Sequence, residues 1–125
     1  MDEQRFLRMK AGLERNGVTV WTNDASQEDL DELGAYASTS PDGRNINLGT
    51  RMPPSASAFF EEIIHVTQIK NLPEELRTLS YLASHLTAFE IKAKEKVLRN
   101  SKAYGLTDSE IEELKESLRR YRSGK

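Results

Sequence analysis

Hydrophobic positions recur every three or four residues in four stretches of the chain, and each stretch predicts an amphipathic α-helix. The predicted helices cover residues 2–16, 55–70, about 73–100 and 107–122. Ser55 is a suitable N-cap for the second helix, and Thr107 with Glu110 forms a capping box for the fourth. The second half of the chain is therefore expected to be helical.

Three shorter β-rich runs lie between the first two of these helices, at residues 18–22, 35–39 and 44–48. The last two flank a turn at residues 40–43 and predict a hairpin. Ser26 with Asp29 resembles a capping box, which predicts a short helix that Gly34 ends. A loop with two prolines, residues 49–54, leads to the second long helix. This order predicts an α+β fold with a small antiparallel sheet and a long helix after the Ser55 helix.

Length and composition indicate one domain over residues 1–125, with the last few residues frayed. The chain has no cysteine, so any metal must be held by histidine, carboxylates or carbonyls. Its 37% hydrophobic and 30% charged residues are typical of a soluble, polar protein. The longest apolar runs fall short of the ~18 residues of a membrane span, and the N-terminus lacks the apolar centre of a signal peptide. We therefore expect no membrane partner.

Charge is distributed unevenly along the chain. Residues 91–125 contain ten Lys/Arg and six Asp/Glu, whereas residues 1–90 contain eight and fourteen. A basic C-terminal part can contact nucleic acid or an acidic partner. Alternating charges from Glu110 to Arg122 are more typical of a solvated helix face, so nucleic acid is not the expected partner.

The predicted helix at residues 55–70 carries a polar stripe with apolar residues on both sides. Glu61 and His65 are four residues apart and Gln68 follows three further on, so the three share one face. The apolar borders favour a lined cleft. Glu62 falls within the apolar arc, where desolvation raises the pKa of a carboxyl group toward the range of a general base. A Glu–His pair at this spacing is also common as a surface ion pair.

The predicted helix at residues 73–100 has a carboxylate in its apolar seam. Spacings of three and four residues define the seam, whose members are Leu76, Leu79, Ala83, Leu86, Glu90, Ala93 and Val97. Glu90 needs a cation or a metal as its partner if the seam packs against another element. The alternative to a metal is an ion pair with a Lys or Arg, such as Arg44 or Arg51. His85, beside apolar neighbours, is expected to be a packed or surface histidine.

Two facing helices could therefore present three metal ligands, Glu61 and His65 from one and Glu90 from the other. Three protein ligands with an open position are the arrangement of a catalytic metal site. Glu62 would then serve as the general base that activates water and passes the proton to the leaving amine. These residues predict a metal-dependent hydrolase.

The same segments resemble zincin-type metallopeptidases. Residues 46–48, the proline loop and the sequence Glu-Glu-x-x-His-x-x-Gln at 61–68 look like the edge strand and active-site helix of that group. Together with residues 89–96 and 103–107, they are more closely similar to zincin-like toxin domains at the C-termini of bacterial polymorphic and phage-associated toxins. The resemblance covers about residues 1–121.

The resemblance implies a minimal zincin-like fold and a peptidase that acts as a toxin module. It places Glu61 at the first metal ligand, Glu62 at the general base, His65 at the second ligand and Glu90 at the third. The family has His at the first position, and a Glu/His/Glu set is more acidic, so zinc is expected with manganese or iron as alternatives. The implied partners are a protein substrate and a cognate immunity protein. Export as part of a larger toxin would lead to action in the cytoplasm of a target cell.

Two other functions remain open at this point. A metal-independent nuclease toxin would use Glu62 and His65 as base and acid, with the basic C-terminal part holding RNA. A catalytically degenerate zincin fold would use the polar stripe to bind a protein partner. A di-iron site also has the Glu62-x-x-His65 spacing, but a second Glu-x-x-His is missing from the sequence.

Overall fold

The computed structural model describes residues 1–50 and 54–124, and within them it shows an α+β fold, as predicted. The three strands are β1 (Thr19–Trp21), β2 (Ser38–Thr39) and β3 (Asn45–Asn47). The helices are α1 (Glu3–Arg15), α2 (Asp24–Leu33), α3 (Ala56–Lys70), α4 (Leu79–Ser84), α5 (Leu86–Arg99), α6 (Ser101–Tyr104) and α7 (Asp108–Arg122), with a 3₁₀ turn at Glu74–Leu76. None of these helices is both long and apolar enough to cross a membrane.

The sheet is mixed, and the expectation of an antiparallel sheet is only half right. Its strand order is β1-β3-β2, with β2 and β3 antiparallel as the predicted hairpin requires. Strands β1 and β3 run parallel. The chain runs back along β2, which lies between them in sequence, to the end of the sheet at which β1 began, and β3 starts from there. The expectation that residues 46–48 form an edge strand is therefore wrong, since β3 is the central strand of the sheet. The edge next to the site is β2.

Helix α2 begins at Asp24 and not at the predicted capping box of Ser26 and Asp29. Its N-cap is Asn23, whose side chain accepts a hydrogen bond from the backbone N–H of Ser26 at 2.9 Å. The Ser26 hydroxyl is buried instead, where it accepts a hydrogen bond from the backbone N–H of Gly49 at 3.2 Å. The caps predicted for α3 and α7, Ser55 and the Thr107 capping box, are confirmed.

The helix expected at residues 73–100 is interrupted twice, by the turn after Pro73 and by His85. The Thr78 side chain accepts a hydrogen bond from the backbone N–H of Tyr81 at 3.2 Å and so starts a new helix. The predicted seam is buried only in the second half of α5, where Ala93 and Val97 are fully buried. In the first half of the seam, Leu79 and Leu86 are 73% and 50% exposed.

Helix α3 is central because it is buried on two faces. One face packs against α1 and the sheet in a cluster of Phe6, Val18, Val20, Ile46, Leu48, Phe59 and Val66. The other packs against α5 and α7 in a cluster of Ala56, Phe60, Ile64, Ala93, Val97 and Leu114. These two contacts fix the helix rotation, and the remaining stripe, which carries Glu61 and His65, borders a cleft. The proline loop lies partly outside the described residues.

Candidate metal centre

Glu61 and His65 of α3 meet Glu90 of α5, as the sequence predicted. One potential ligand atom from each residue lies within 4.8 Å of those of the other two. The distance from His65 Nε2 to Glu90 Oε1 is 3.2 Å. Zinc ligands at 2.0–2.2 Å in a tetrahedral site are roughly 3.4 Å apart, so this separation suits one edge of such a site. The group could therefore hold a metal ion.

The orientation of His65 also suits a ligand. Its Nδ1 lies 2.8 Å from Oε1 of Gln68, and Nε2 of Gln68 donates a hydrogen bond to the carbonyl of Phe89 at 3.1 Å. Nε2 of His65 is buried and finds no hydrogen-bond partner among the described residues, although Oε1 of Glu90 lies 3.2 Å away. Neutral imidazole protonated at Nδ1 would turn the lone pair of Nε2 toward the carboxylates, as in metal-binding histidines.

Glu62 is 6% exposed, in agreement with the expected desolvation. Its Oε1 accepts a hydrogen bond from the Thr39 hydroxyl of β2 at 2.9 Å. Burial raises the pKa of Glu62 to about 7, although nearby His65 and Thr39 act to lower it. A carboxyl group with this pKa can both take up and release a proton near neutral pH.

Lys94 of α5 is a member of the site that the sequence reasoning missed. Its Nζ is 2.6 Å from Oε1 of Glu61 and 3.3 Å from Oε2 of Glu90, and the residue is only 8% exposed. The cation beside Glu90 is therefore Lys94 and not Arg44, while Arg51 lies outside the described residues. The i, i+4 spacing from Glu90 to Lys94 was the signal in the sequence that could have found it.

The charged groups of the site shift each other's pKa values. Burial acts to lower the pKa of His65, but the carboxylates of Glu90 and Glu62 outweigh it and raise the pKa to about 9. Burial acts to raise the pKa of Glu90, but His65 and Lys94 outweigh it and lower that pKa. For Glu61 burial prevails, and its pKa is raised despite Lys94. The metal-free site therefore keeps His65 protonated at neutral pH.

The site opens into a cleft of about 1180 Å³. Its lining combines Glu61, Glu62, His65 and Glu90 with four exposed hydrophobic side chains, those of Leu33, Tyr36, Leu79 and Leu86. The lining also includes the exposed charged residues Glu112, Glu113, Glu116 and Arg120 of α7. A cleft that combines apolar and polar side chains is typical of a ligand-binding site.

His85, the second histidine of the chain, is a surface histidine packed against a neighbouring side chain, as expected. The ring of His85 stacks on Tyr81 with centroids 4.1 Å apart, and its Nδ1 lies 2.9 Å from the carbonyl of Tyr81. His85 is exposed and lies outside the lining of the cleft, so it serves as a control for His65.

The chain matches no family model, no curated protein and no solved structure.

Proposed function

We propose that this protein is a metal-dependent hydrolase, a peptidase of the zincin-like type. The observation that carries the proposal is the convergence of Glu61, His65 and Glu90 within 4.8 Å, beside a buried Glu62. Three protein ligands that leave a position open to a cleft are characteristic of catalytic metal sites.

Glu62 is the general base in the proposed reaction. It takes the proton from the water that attacks the peptide carbonyl, and it returns that proton to the leaving amine. Its pKa of about 7 suits both steps. Thr39 holds one oxygen of the Glu62 carboxyl group and thereby orients it. The bound ion would polarise the carbonyl and lower the pKa of water.

Zinc is the proposed metal. Imidazole and carboxylate donors both bind zinc at the distances that this cluster allows. The two carboxylates make manganese or iron the alternatives, since harder oxygen ligands favour these ions more than a His/His/Glu set does.

The proposed biological role is that of a toxin module that cleaves a protein in the cytoplasm of a target cell and is countered by an immunity protein. Its support is the resemblance of residues 61–68, 89–96 and 103–107 to zincin-like toxin domains. The cleft lining contains more carboxylates than Lys and Arg side chains, and this acidic surface disfavours a nucleic acid as substrate. Basic residues of α7 pair with carboxylates, as Arg119 does with Glu116 and Arg122 with Glu95.

Metal binding tests the site directly. Titration of the metal-free protein with Zn²⁺ or Mn²⁺ in a calorimeter should give one site per chain. His65→Ala and Glu90→Ala should each weaken binding by at least about tenfold, whereas the control His85→Ala should bind like the parent. Parent-like binding by His65→Ala would show that the metal site is wrongly assigned.

Cleavage of a mixture of unstructured peptides tests the chemistry. Glu62→Gln should retain metal binding but lose roughly 10²–10⁴-fold in rate, since it cannot accept the proton. The control Glu28→Gln, on the exposed face of α2, should cleave like the parent. RNA cleavage that persists in EDTA would contradict the proposal and identify a metal-independent nuclease. A toxic effect that survives Glu62→Gln would instead identify a binding module.

A further inference from the structure

Lys94 places an ammonium group inside the proposed metal site. It lies one helical turn after Glu90 on α5 and reaches across to Glu61 on α3. Its contacts with these carboxylates, at 2.6 and 3.3 Å, involve two of the three proposed ligand residues. The side chain is 10% exposed, and those of Glu61 and Glu90 are each 16% exposed, so solvent screens these charges weakly.

The three charges depend on each other in the metal-free protein. A buried ammonium group is tolerated only when it is paired, and Lys94 has two carboxylates as partners. The carboxylates of Glu61 and Glu90, brought together by the packing of α3 against α5, would repel each other without a cation between them. Lys94 is a cation in contact with both carboxylates, in addition to protonated His65 beside Glu90.

The same contacts conflict with metal binding. A carboxylate ligand lies 2.0–2.2 Å from zinc, so an ion held by Glu61 and Glu90 would lie within a few ångströms of an ammonium group that is ion-paired with both. Repulsion between two cations at that distance is strong in a weakly screened site. Each carboxylate has a second oxygen, but the repulsion weakens metal binding for as long as Lys94 keeps both contacts.

Tyr121 of α7 offers the displaced ammonium group a new position. Its ring centroid is already 5.4 Å from Nζ of Lys94, within the range of a cation–π contact. The ring is part of the cleft lining, so the lysine side chain can reach it without leaving the cleft.

We infer that Lys94 is an internal competitor that occupies the metal site and sets its metal affinity. The inference rests on the metal site of the proposed function. A protein whose binding-competent state is a minor population has an apparent affinity lowered by that fraction. Removal of the ammonium group should therefore strengthen metal binding, although it removes a residue from the site.

The test compares Zn²⁺ binding by the parent with that by Lys94→Met, which keeps an unbranched side chain of nearly the same length but removes its charge. Lys94→Met should bind Zn²⁺ at least about tenfold more tightly. Without metal it should unfold at a lower temperature than the parent, and Zn²⁺ should remove the difference. The matched control is Lys96→Met, at an exposed position on the same helix, which should bind like the parent.

The other possible results of this test lead to different conclusions. Equal or weaker binding by Lys94→Met, while the parent binds Zn²⁺, would overturn the competitor role and leave the metal site intact. Failure of the parent and Lys94→Met alike to bind Zn²⁺ or Mn²⁺ would overturn both proposals. If Lys94→Met does not fold, a structure of the parent with Zn²⁺ decides. Nζ should then lie beyond hydrogen-bond distance of at least one of Glu61 and Glu90, and retention of both contacts would overturn the inference.

Discussion

Gln68 orients His65 from one helical turn away. The amide nitrogen of Gln68 donates a hydrogen bond to the backbone carbonyl of Phe89, and a carbonyl can only accept. The amide oxygen of Gln68 must therefore face Nδ1 of His65. The carbonyl belongs to α5, whereas Gln68 and His65 belong to α3. The orientation of the imidazole therefore depends on the packing of the two helices that supply the proposed ligands.

Gln68→Leu should weaken Zn²⁺ binding by roughly 10–100-fold, because the imidazole loses the acceptor that orients it. Calorimetry measures the change. The control is Thr67→Ala, an exposed neighbour on α3 that should have no such effect. Equal affinities for the parent and Gln68→Leu would show that helix packing alone orients His65.

Metal affinity should rise with pH. The ligand form of His65 is neutral, and its pKa is raised to about 9, so below pH 9 a proton on Nε2 competes with the metal. Between pH 6 and 8 the association constant for Zn²⁺ should increase about tenfold per pH unit. Calorimetry in buffers with different ionisation enthalpies should also show proton release on binding. An association constant that does not change over this range would contradict the assignment of His65.

Thr39→Val should raise the pKa of Glu62 beyond its value of about 7, because the hydroxyl hydrogen bond stabilises the ionised carboxylate. Peptide cleavage, which needs that ionised form, should lose activity at pH 7 and recover it at higher pH. NMR titration of the Glu62 carboxyl carbon measures the shift directly, with Ser38→Ala on the same strand as the control. A titration midpoint equal to that of the parent would show that Thr39 has no influence on the base.

Glu110→Ala should lower the free energy of unfolding by about 2 kcal/mol, because one carboxylate caps two helices. Its Oε1 accepts a hydrogen bond from the backbone N–H of Thr107, and its Oε2 accepts from the Ser55 hydroxyl at 2.6 Å and the Ser57 N–H at 2.9 Å. Urea denaturation measures the loss. Glu113→Ala on the same helix should change the free energy by less than about 0.5 kcal/mol.

The Glu110 contribution should also depend on pH. Burial acts to raise the pKa of this carboxyl group, but the hydrogen bonds from Ser55 and Ser57 outweigh it and lower the pKa below its ordinary value of 4.5. The stabilisation is therefore present above pH 4.5 and is lost as pH falls through the lowered pKa. Parent and Glu110→Ala should converge in stability under acid conditions. A constant difference between them down to pH 2 would contradict this origin.

Local signals in the sequence determined several features of this protein. The caps at Ser55 and Thr107, the hairpin and the shared face of Glu61 and His65 depend on residues a few positions apart, and all are present in the structure. The burial of Glu62 also followed from its helical neighbours. Periodicity and capping act over one or two turns, so they can be interpreted without knowledge of distant contacts.

Tertiary structure alone decided how distant segments meet. The parallel pairing of β1 with β3 depends on the path of α2, and the position of Lys94 between Glu61 and Glu90 depends on how α5 packs against α3. The buried charges have the same origin, since the pKa values of Glu62 and His65 depend on desolvation and on carboxylates from other turns and helices. Such interactions act through space between residues far apart in sequence, where hydrophobic periodicity carries no information about the partner.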